Sequence, residues 1–245
     1  MPVKIHVYSL CWNEVRMLPH YIAHYESIAD HFFIRDHRSS DGSYELLAGR
    51  PDVTIERFTP RNQNSFVLSA LDVYDDAWKQ SRGRADWVIV CNIDEFLYHA
   101  NLPAYLASAE SDGVTAIRAV GYQMVSEVFP TPAVPLTDQV RCGLRWRPMD
   151  KLAIFDPNAI EDINYAVGRH DADPVGRVAF PQRAEVMLLH FKYLGLDYLR
   201  RRHAELAPRL GRIDVERDWG HKYRWSAMQL EADFEHVRRS AKPVI

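Results

Sequence analysis

The chain is poor in the features that announce a covalent or membrane scaffold. Its 245 residues include only three cysteines, Cys11, Cys91 and Cys142, and no two form a CxxC pair. That spacing argues against a disulfide framework or a cysteine zinc site and predicts a reducing compartment. No apolar run approaches the ~20 residues needed to cross a bilayer. Met1 to Leu10 is broken by His6 and Ser9. It lacks the apolar core of a signal peptide and reads as a first strand, so the cytoplasm is the expected address. Neither sign of charge dominates. Thirty Lys and Arg face 33 Asp and Glu, a net −3, which argues against nucleic acid as a partner. There is no internal repeat and no Gly/Ser linker. With 47% apolar and 26% charged residues, disorder and low complexity are excluded. One domain over residues 1–245 is expected.

What is present alternates between two periods. Val3–Leu10 puts Val3, Ile5 and Val7 on one strand face. Leu18, Ile22, Tyr25 and Ala29 make one helical stripe, with Pro19 suited to the first turn. His31–Arg35 and Val53–Phe58 read as strands, Ser43–Ala48 as a helix, and Asn64–Gln80 as a helix with Val67, Leu71, Tyr74 and Trp78 on one face. Trp87–Val90 is a continuous apolar run, as in a strand covered on both faces. Such βαβ units imply an α/β fold with a mostly parallel central sheet flanked by helices. Beyond Val114–Val120 the pattern loosens. Leu152–Phe155 and Val186–His190 are strand-like, and Leu196–Leu210 and Ser226–Arg239 helical. Ligands of parallel sheets bind at the carboxyl ends of the strands. That directs attention to Leu10–Glu14, Asp36–Gly42 and Asn92–Glu95.

The strongest local signal is Trp87-Val88-Ile89-Val90-Cys91-Asn92-Ile93-Asp94-Glu95-Phe96-Leu97, a buried strand running into two adjacent carboxylates. Carboxylates in that position either face a metal or cationic ligand, or cap the following loop. The string resembles the Asp-x-Asp-Glu-Phe form of the DXD motif of GT-A-fold glycosyltransferases, in the family-2-like group. Two more stretches resemble that group. Cys11-Trp12-Asn13-Glu14 precedes a helix containing Tyr21-Ile22-Ala23-His24-Tyr25, and Phe33-Ile34-Arg35-Asp36-His37-Arg38-Ser39-Ser40-Asp41-Gly42 follows. A weaker match continues through Lys151–Pro157, His170 and Leu188–Tyr193. The likeness covers most of the chain, and its three motifs keep their order at three successive strand ends.

The resemblance implies transfer of a sugar from a nucleoside-diphosphate donor, UDP- or GDP-linked, to an acceptor hydroxyl, with inversion. It implies a divalent metal, Mn²⁺ or Mg²⁺, held by Asp94 with His190. Both metals suit carboxylate and phosphate oxygens. Asn92 stands where the family has Asp, a poorer metal ligand whose amide could hold a ribose hydroxyl. Leu10, Cys11, Asn13, Glu14, Asp36 and Ile93 would line the donor site, residues 1–100 serving the donor and 101–245 the acceptor. Each has a plainer reading: His190 a core histidine, Asp36 an Asx turn before Ser39, Glu14 a charge at a helix N-terminus.

Lys151, Lys192, Arg200, Arg201, Arg202, His221 and Lys222 are the basic candidates for phosphate, Lys222 foremost because it sits among Trp219, Gly220 and Tyr223. The run Arg200–Arg202 otherwise reads as a solvated helix face. The acceptor proton needs a carboxylate. Glu95 and Asp171 are nominated, with Glu127 and Asp150 behind them. The expected acceptor is a saccharide or glycolipid, with peripheral membrane association and a place in polysaccharide synthesis implied by the family alone.

Three rivals stand beside this reading. A sugar nucleotidyltransferase would need a Gly-rich basic loop after the first strand, where this chain has Leu10–Glu14. A haloacid-dehalogenase-type phosphatase would need an Asp at the end of that strand. A non-catalytic nucleotide- or carbohydrate-binding module is compatible with the change at Asn92.

Overall fold

In the computed structural model, which describes residues 3–245, thirteen strands and eight α-helices alternate along the chain. Met1 and Pro2 of the expected first strand lie outside the described residues. The first half runs β1 (Ile5–Cys11), α1 (Leu18–Tyr25), β2 (His31–Asp36), α2 (Ser43–Ala48), β3 (Val53–Arg57), α3 (Phe66–Asp76), β4 (Trp87–Val90), β5 (Glu95–Tyr98) and α4 (Leu102–Ser111). Next come β6 (Ala116–Arg118), β7 (Val120–Ser126), α5 (Leu136–Gln139), β8 (Cys142–Arg145), β9 (Leu152–Phe155), β10 (Ile160–Asp162) and β11 (Val175–Gly176). The chain closes with β12 (Met187–Leu194), α6 (Leu196–Leu206), α7 (Arg212–Glu216), α8 (Ala227–Ser240) and β13 (Lys242–Pro243).

The expected α/β sheet is there. Six strands lie in the order β3-β2-β1-β4-β9-β6, and the first four are parallel. The register pairs Cys11 with Asp36 and Tyr8 with Val90, so the loops after β1, β2 and β4 leave from one edge. Residue alternation divides the core. Val7, Phe32, Ile34 and Ile89 pack with Tyr21 and Tyr25 of α1 on one face. Tyr8, Phe33, Val88 and Val90 meet Tyr74 and Trp78 on the other. Tyr21, Tyr25, Trp78 and Trp87 are fully buried. Each such aromatic contributes about 150–250 Å² of burial.

Of a second, five-stranded sheet, β13-β8-β7-β12-β5, the sequence pattern foreshadowed only β12, through Val186–His190. Its strands β5 and β8 have only four residues each and β13 only two, too short for alternation to show. Strand β5 begins at Glu95, a few residues after β4 ends, so the turn 91–95 carries the chain from one sheet to the other. No helix among the described residues is long and apolar enough to cross a membrane.

Helix α3 is tied to the distant α7 by one buried side chain. Asp214, fully buried, accepts from Phe66 N at 2.9 Å, from Gly211 N at 2.9 Å and from the Ser65 hydroxyl. The Ser65 oxygen in turn caps α3 by accepting from Leu68 N at 3.0 Å. The two segments approach so closely that a Cβ on Gly211 would lie 2.2 Å from the Asn64 carbonyl oxygen. Removing Asp214 leaves three buried donors unpaired, each costing about 1–3 kcal/mol. We therefore expect Asp214→Ala to lose about 3 kcal/mol or more in urea unfolding, and Asp214→Asn, which keeps an acceptor oxygen, to lose less. Equal losses in the two variants would show that packing, not the hydrogen bonds, holds α7 to α3.

Candidate functional site

The turn after β4 is built around Glu95. Its carboxylate is fully buried and engaged at both oxygens. Oε1 accepts from Lys151 Nζ at 2.7 Å and from Asn92 Nδ2 at 3.0 Å. Oε2 accepts from Arg169 Nη2 at 2.6 Å and from Asn92 N at 3.1 Å. Burial alone would push this carboxyl up. The charges of Arg169 and Lys151 outweigh it and hold it far below the usual carboxylate range. Burial likewise lowers the Lys151 ammonium, with Glu95 pulling it back. Arg169 sits at φ 55°, a costly left-handed position for a non-glycine residue, and its Nη1 also donates to Val90 O at 2.7 Å. Glu95 is therefore corrected as a proton acceptor for a substrate. It has no open oxygen and no solvent face, and it shapes the turn from behind.

With Glu95 fixed, Asp94 turns outward, its side chain a quarter exposed. Strand β12 pairs antiparallel with β5 so that His190 lies opposite Glu95, and Phe191 N donates to Asp94 O at 2.7 Å. This register brings His190 Nε2 to 3.2 Å from Asp94 Oδ2. Burial would raise the Asp94 carboxyl, but His190 outweighs it and the group lies below its ordinary value.

The other side of the imidazole determines its chemistry. Gln123 Nε2 donates to His190 O at 2.9 Å and to Met124 O at 3.1 Å, so Gln123 Oε1 is the atom 2.6 Å from His190 Nδ1. An amide oxygen only accepts, so Nδ1 carries the proton. Nε2 of a neutral ring then aims its lone pair at the Asp94 carboxylate. Trp146 stacks on the ring at 5.6 Å. Two lone-pair-bearing atoms converging at a half-open edge fit a divalent cation. Among the described residues no three His, Cys, Asp or Glu side chains gather to hold a metal by themselves. A cation here would draw its further ligands from substrate oxygens and water, as Mg²⁺ commonly does.

The loop after β1 is held by arginines from the far end of the chain. Arg202 of α6 donates to Trp12 O at 2.9 Å and Asn13 O at 3.1 Å, and pairs closely with the Glu14 carboxylate. Arg209 lies 3.8 Å over the Trp12 ring and contacts His37. Asn13, at φ 49°, accepts from Ser40 N at 2.8 Å, joining this loop to the one after β2. The expected solvated face at Arg200–Arg202 is thus divided. Arg200 pairs with Glu231 and Arg201 with Glu205, while Arg202 is buried.

Other nominated residues are placed as follows. Asp36 is fully buried and accepts from Ser39 N at 3.1 Å, the local-turn arrangement. The Asn92 amide faces inward, accepting from Tyr74 and donating to Glu95, not outward to a ribose. Cys11 and Ile93 lie in the core, and Leu10 is half-buried against the α3 side. Lys222 donates to Asp233 at 3.1 Å and lies 5.9 Å from the Trp146 ring, while Lys192 sits 4.3 Å over Tyr223. His221 is exposed beside Trp225, and His170 bonds Pro148 O at 2.6 Å. Asp171 is in solvent on Arg118 and makes no ion pair with His190. Glu127 pairs with Arg238 and Asp150 with Arg145, and neither makes an ion pair with His190. Gln123, Trp146, Arg169 and Arg209 went unnoticed in the sequence, since each is a lone polar or aromatic residue whose partners lie 67 or more positions away or in another strand.

No protein-family description and no curated protein matches this chain. Among solved structures it is similar to residues 1–349 of S. aureus TarS, at 10% identity and a TM-score of 0.42, over 83% of this chain and 65% of that one. It is also similar to the same TarS segment in complex with UDP, at 9% identity and a TM-score of 0.47, over 89% of this chain and 70% of that one. This chain thus spans about two thirds of the length of those TarS structures. At this degree of likeness the site is read from its own side chains.

Replacing Glu95 by Gln removes the only carboxylate between two buried cations. Breaking a buried ion pair in this way costs about 3–5 kcal/mol, which for a chain of this size lowers Tm by roughly 6–20 °C. The pH response has a definite sign. Because the folded-state carboxyl is depressed, its contribution is present above the ordinary value of 4.5 and lost as pH falls below it. Glu95→Gln should therefore show a shallower loss of stability below pH 4.5 than the native protein. A Tm within about 2 °C of native would show that Lys151 and Arg169 do not depend on Glu95.

Proposed function

We propose that this protein is a nucleotide-sugar-dependent glycosyltransferase, moving a sugar from a UDP- or GDP-linked donor to an acceptor hydroxyl with inversion. The observation that carries the reading is the convergence of Asp94 Oδ2 and His190 Nε2, 3.2 Å apart, at the carboxyl edge of a parallel sheet. That edge is where α/β sheets take nucleotides. Asp94 and His190 would hold a Mn²⁺ or Mg²⁺ ion, which when bound neutralises the charge developing on the leaving diphosphate.

The protein's own residues supply the rest. Gln123 keeps the imidazole in the tautomer that presents Nε2. Glu95 holds the turn that aims Asp94. Arg202 fixes the Trp12–Glu14 loop, leaving the Trp12 ring, backed by Arg209, as one wall of the donor cleft. Lys222 and Lys192 lie on the Trp146 and Tyr223 side, available to a diphosphate.

A second reading, a nucleotide-binding module without turnover, is favoured by the inward turn of Asn92, which leaves only two protein donors for a metal. Calorimetry with UDP, with and without Mn²⁺, beside hydrolysis of a UDP- and GDP-sugar panel, separates the two. We expect Mn²⁺-dependent UDP binding and donor hydrolysis in the native protein. Asp94→Ala should abolish the Mn²⁺ dependence, and Gln123→Ala should weaken Mn²⁺ affinity by about 10–100-fold. Unchanged metal-dependent activity in Asp94→Ala would sink the assignment. Binding without turnover of any donor would favour the module.

A further inference from the structure

A cleft of about 460 Å³ opens where β2 and β3, at the free edge of the six-stranded sheet, meet α3. It contains neither Asp94 nor His190 and belongs to no part of the site above. Its volume falls within the roughly 300–1,000 Å³ of small-molecule sites. Its lining includes Arg35, Arg57 and Arg61 from β2, β3 and the segment after β3, and Asp72 and Asp76 from α3, above the buried Phe58.

These charges are incompletely satisfied. Arg35 pairs with Glu56. Arg57 is 3.7 Å from Asp36 Oδ2 and lies 4.3 Å over the Tyr44 ring, but its side chain stays half-exposed. Arg61 makes no ion pair or hydrogen bond among the described residues, and neither does Asp72. Asp76 takes only Lys79, at 2.8 Å. Free cations and free carboxylates thus face the same space without closing on each other.

Each sign of charge selects a different chemical group. Guanidinium forks bind phosphate or carboxylate oxygens by charge-assisted hydrogen bonds. Ionised carboxylates only accept, so a neutral ligand must bring hydroxyl donors to Asp72 and Asp76. An inorganic anion would use only the arginines and meet repulsion from the carboxylates. A neutral sugar would leave Arg61 unpaired. A sugar ring bearing an anionic group uses both.

We propose that this cleft is a second binding site, for an anionic saccharide carrying a phosphate or a carboxylate. Arg61 and Arg57 take the anion, and Asp72 and Asp76 take the hydroxyls. The site does not depend on a metal at Asp94, so it stands or falls separately from the transferase reading.

The test is calorimetry on the full chain with glucose 1-phosphate, glucuronate, glucose, inorganic phosphate and UMP. Glucose 1-phosphate or glucuronate should bind at least tenfold more tightly than glucose or phosphate, and which of them binds tells phosphate from carboxylate. Arg61→Ala removes charge-assisted bonds and should weaken that binding at least tenfold. Asp72→Asn, which removes a hydroxyl acceptor, should weaken it too, while inorganic phosphate, relieved of that carboxylate's repulsion, binds no more weakly than to the native protein. Both side chains are exposed, and an unchanged Tm in each variant confirms the fold. Asp94→Ala should leave saccharide binding intact even where it abolishes UDP and Mn²⁺ binding. No binding of either anionic sugar, binding unaffected by Arg61→Ala, or phosphate as tight as glucose 1-phosphate would each overturn the proposal. So would competition by UMP, which would make the cleft part of a nucleotide site.

Discussion

The structure turns on one buried carboxylate. Glu95 stands where the chain leaves the six-stranded sheet and enters the five-stranded one. It binds a cation from the residue preceding β9, Lys151, and another from the loop before β11, Arg169. Three buried charges would be a net cost in an apolar core. Here each faces an opposite charge, and Glu95 and Arg169 are also hydrogen-bonded by backbone or amide groups. The gain is geometric. Glu95 closes a short turn onto itself through Asn92, and the only direction left for Asp94 is outward. The excess positive charge of the cluster is balanced by the Asp94 carboxylate in front of it.

Glu95 organises His190 as well. Because β5 starts at Glu95, its pairing with β12 sets His190 beside the turn, and the Phe191 N–H to Asp94 carbonyl bond locks that register. A slip of one residue would turn the imidazole to the opposite face. Gln123 reaches across from β7 and fixes the ring's proton on Nδ1. Three strands of the second sheet thus prepare one lone pair, and the turn between the two sheets supplies the carboxylate it meets.

Legibility in the sequence followed the range of the forces involved. The strands buried on both faces were readable as continuous apolar runs: β4 matches Trp87–Val90 and β9 matches Leu152–Phe155. In the second sheet only β12 was foreshadowed, by Val186–His190, since β5, β8 and β13 are short and mixed in polarity. Asp94 and His190 were nominated by local motif, and the structure brings them within 3.2 Å. Adjacent carboxylates, however, look alike in sequence. That Asp94 faces out while Glu95 is sealed inside depends on Lys151 and Arg169, 56 and 74 residues away. Asn92 was misread for the same reason: an amide beside a strand end can face either way, and Tyr74 turned it inward.

The same long-range logic bears on how the chain divides its labour. The loop Trp12–Glu14 belongs to the first hundred residues, yet its carbonyls and carboxylate are held by Arg202, and its indole is covered by Arg209. Helix α3 is capped through Asp214. The imidazole that meets Asp94 comes from β12. Each contact crosses from the second half of the sequence into the first, and each is made by a buried or half-buried polar group that would be costly to leave unpaired. The loop after β1 and the turn after β4 therefore owe their shapes to α6 and β12 as much as to β1 and β4. Movement of α6 would loosen the β1 loop through Arg202 before it disturbed the sheet, because the sheet's own hydrogen bonds do not pass through it. The parallel sheet thus presents loops whose positions are held by polar contacts from the other half of the chain.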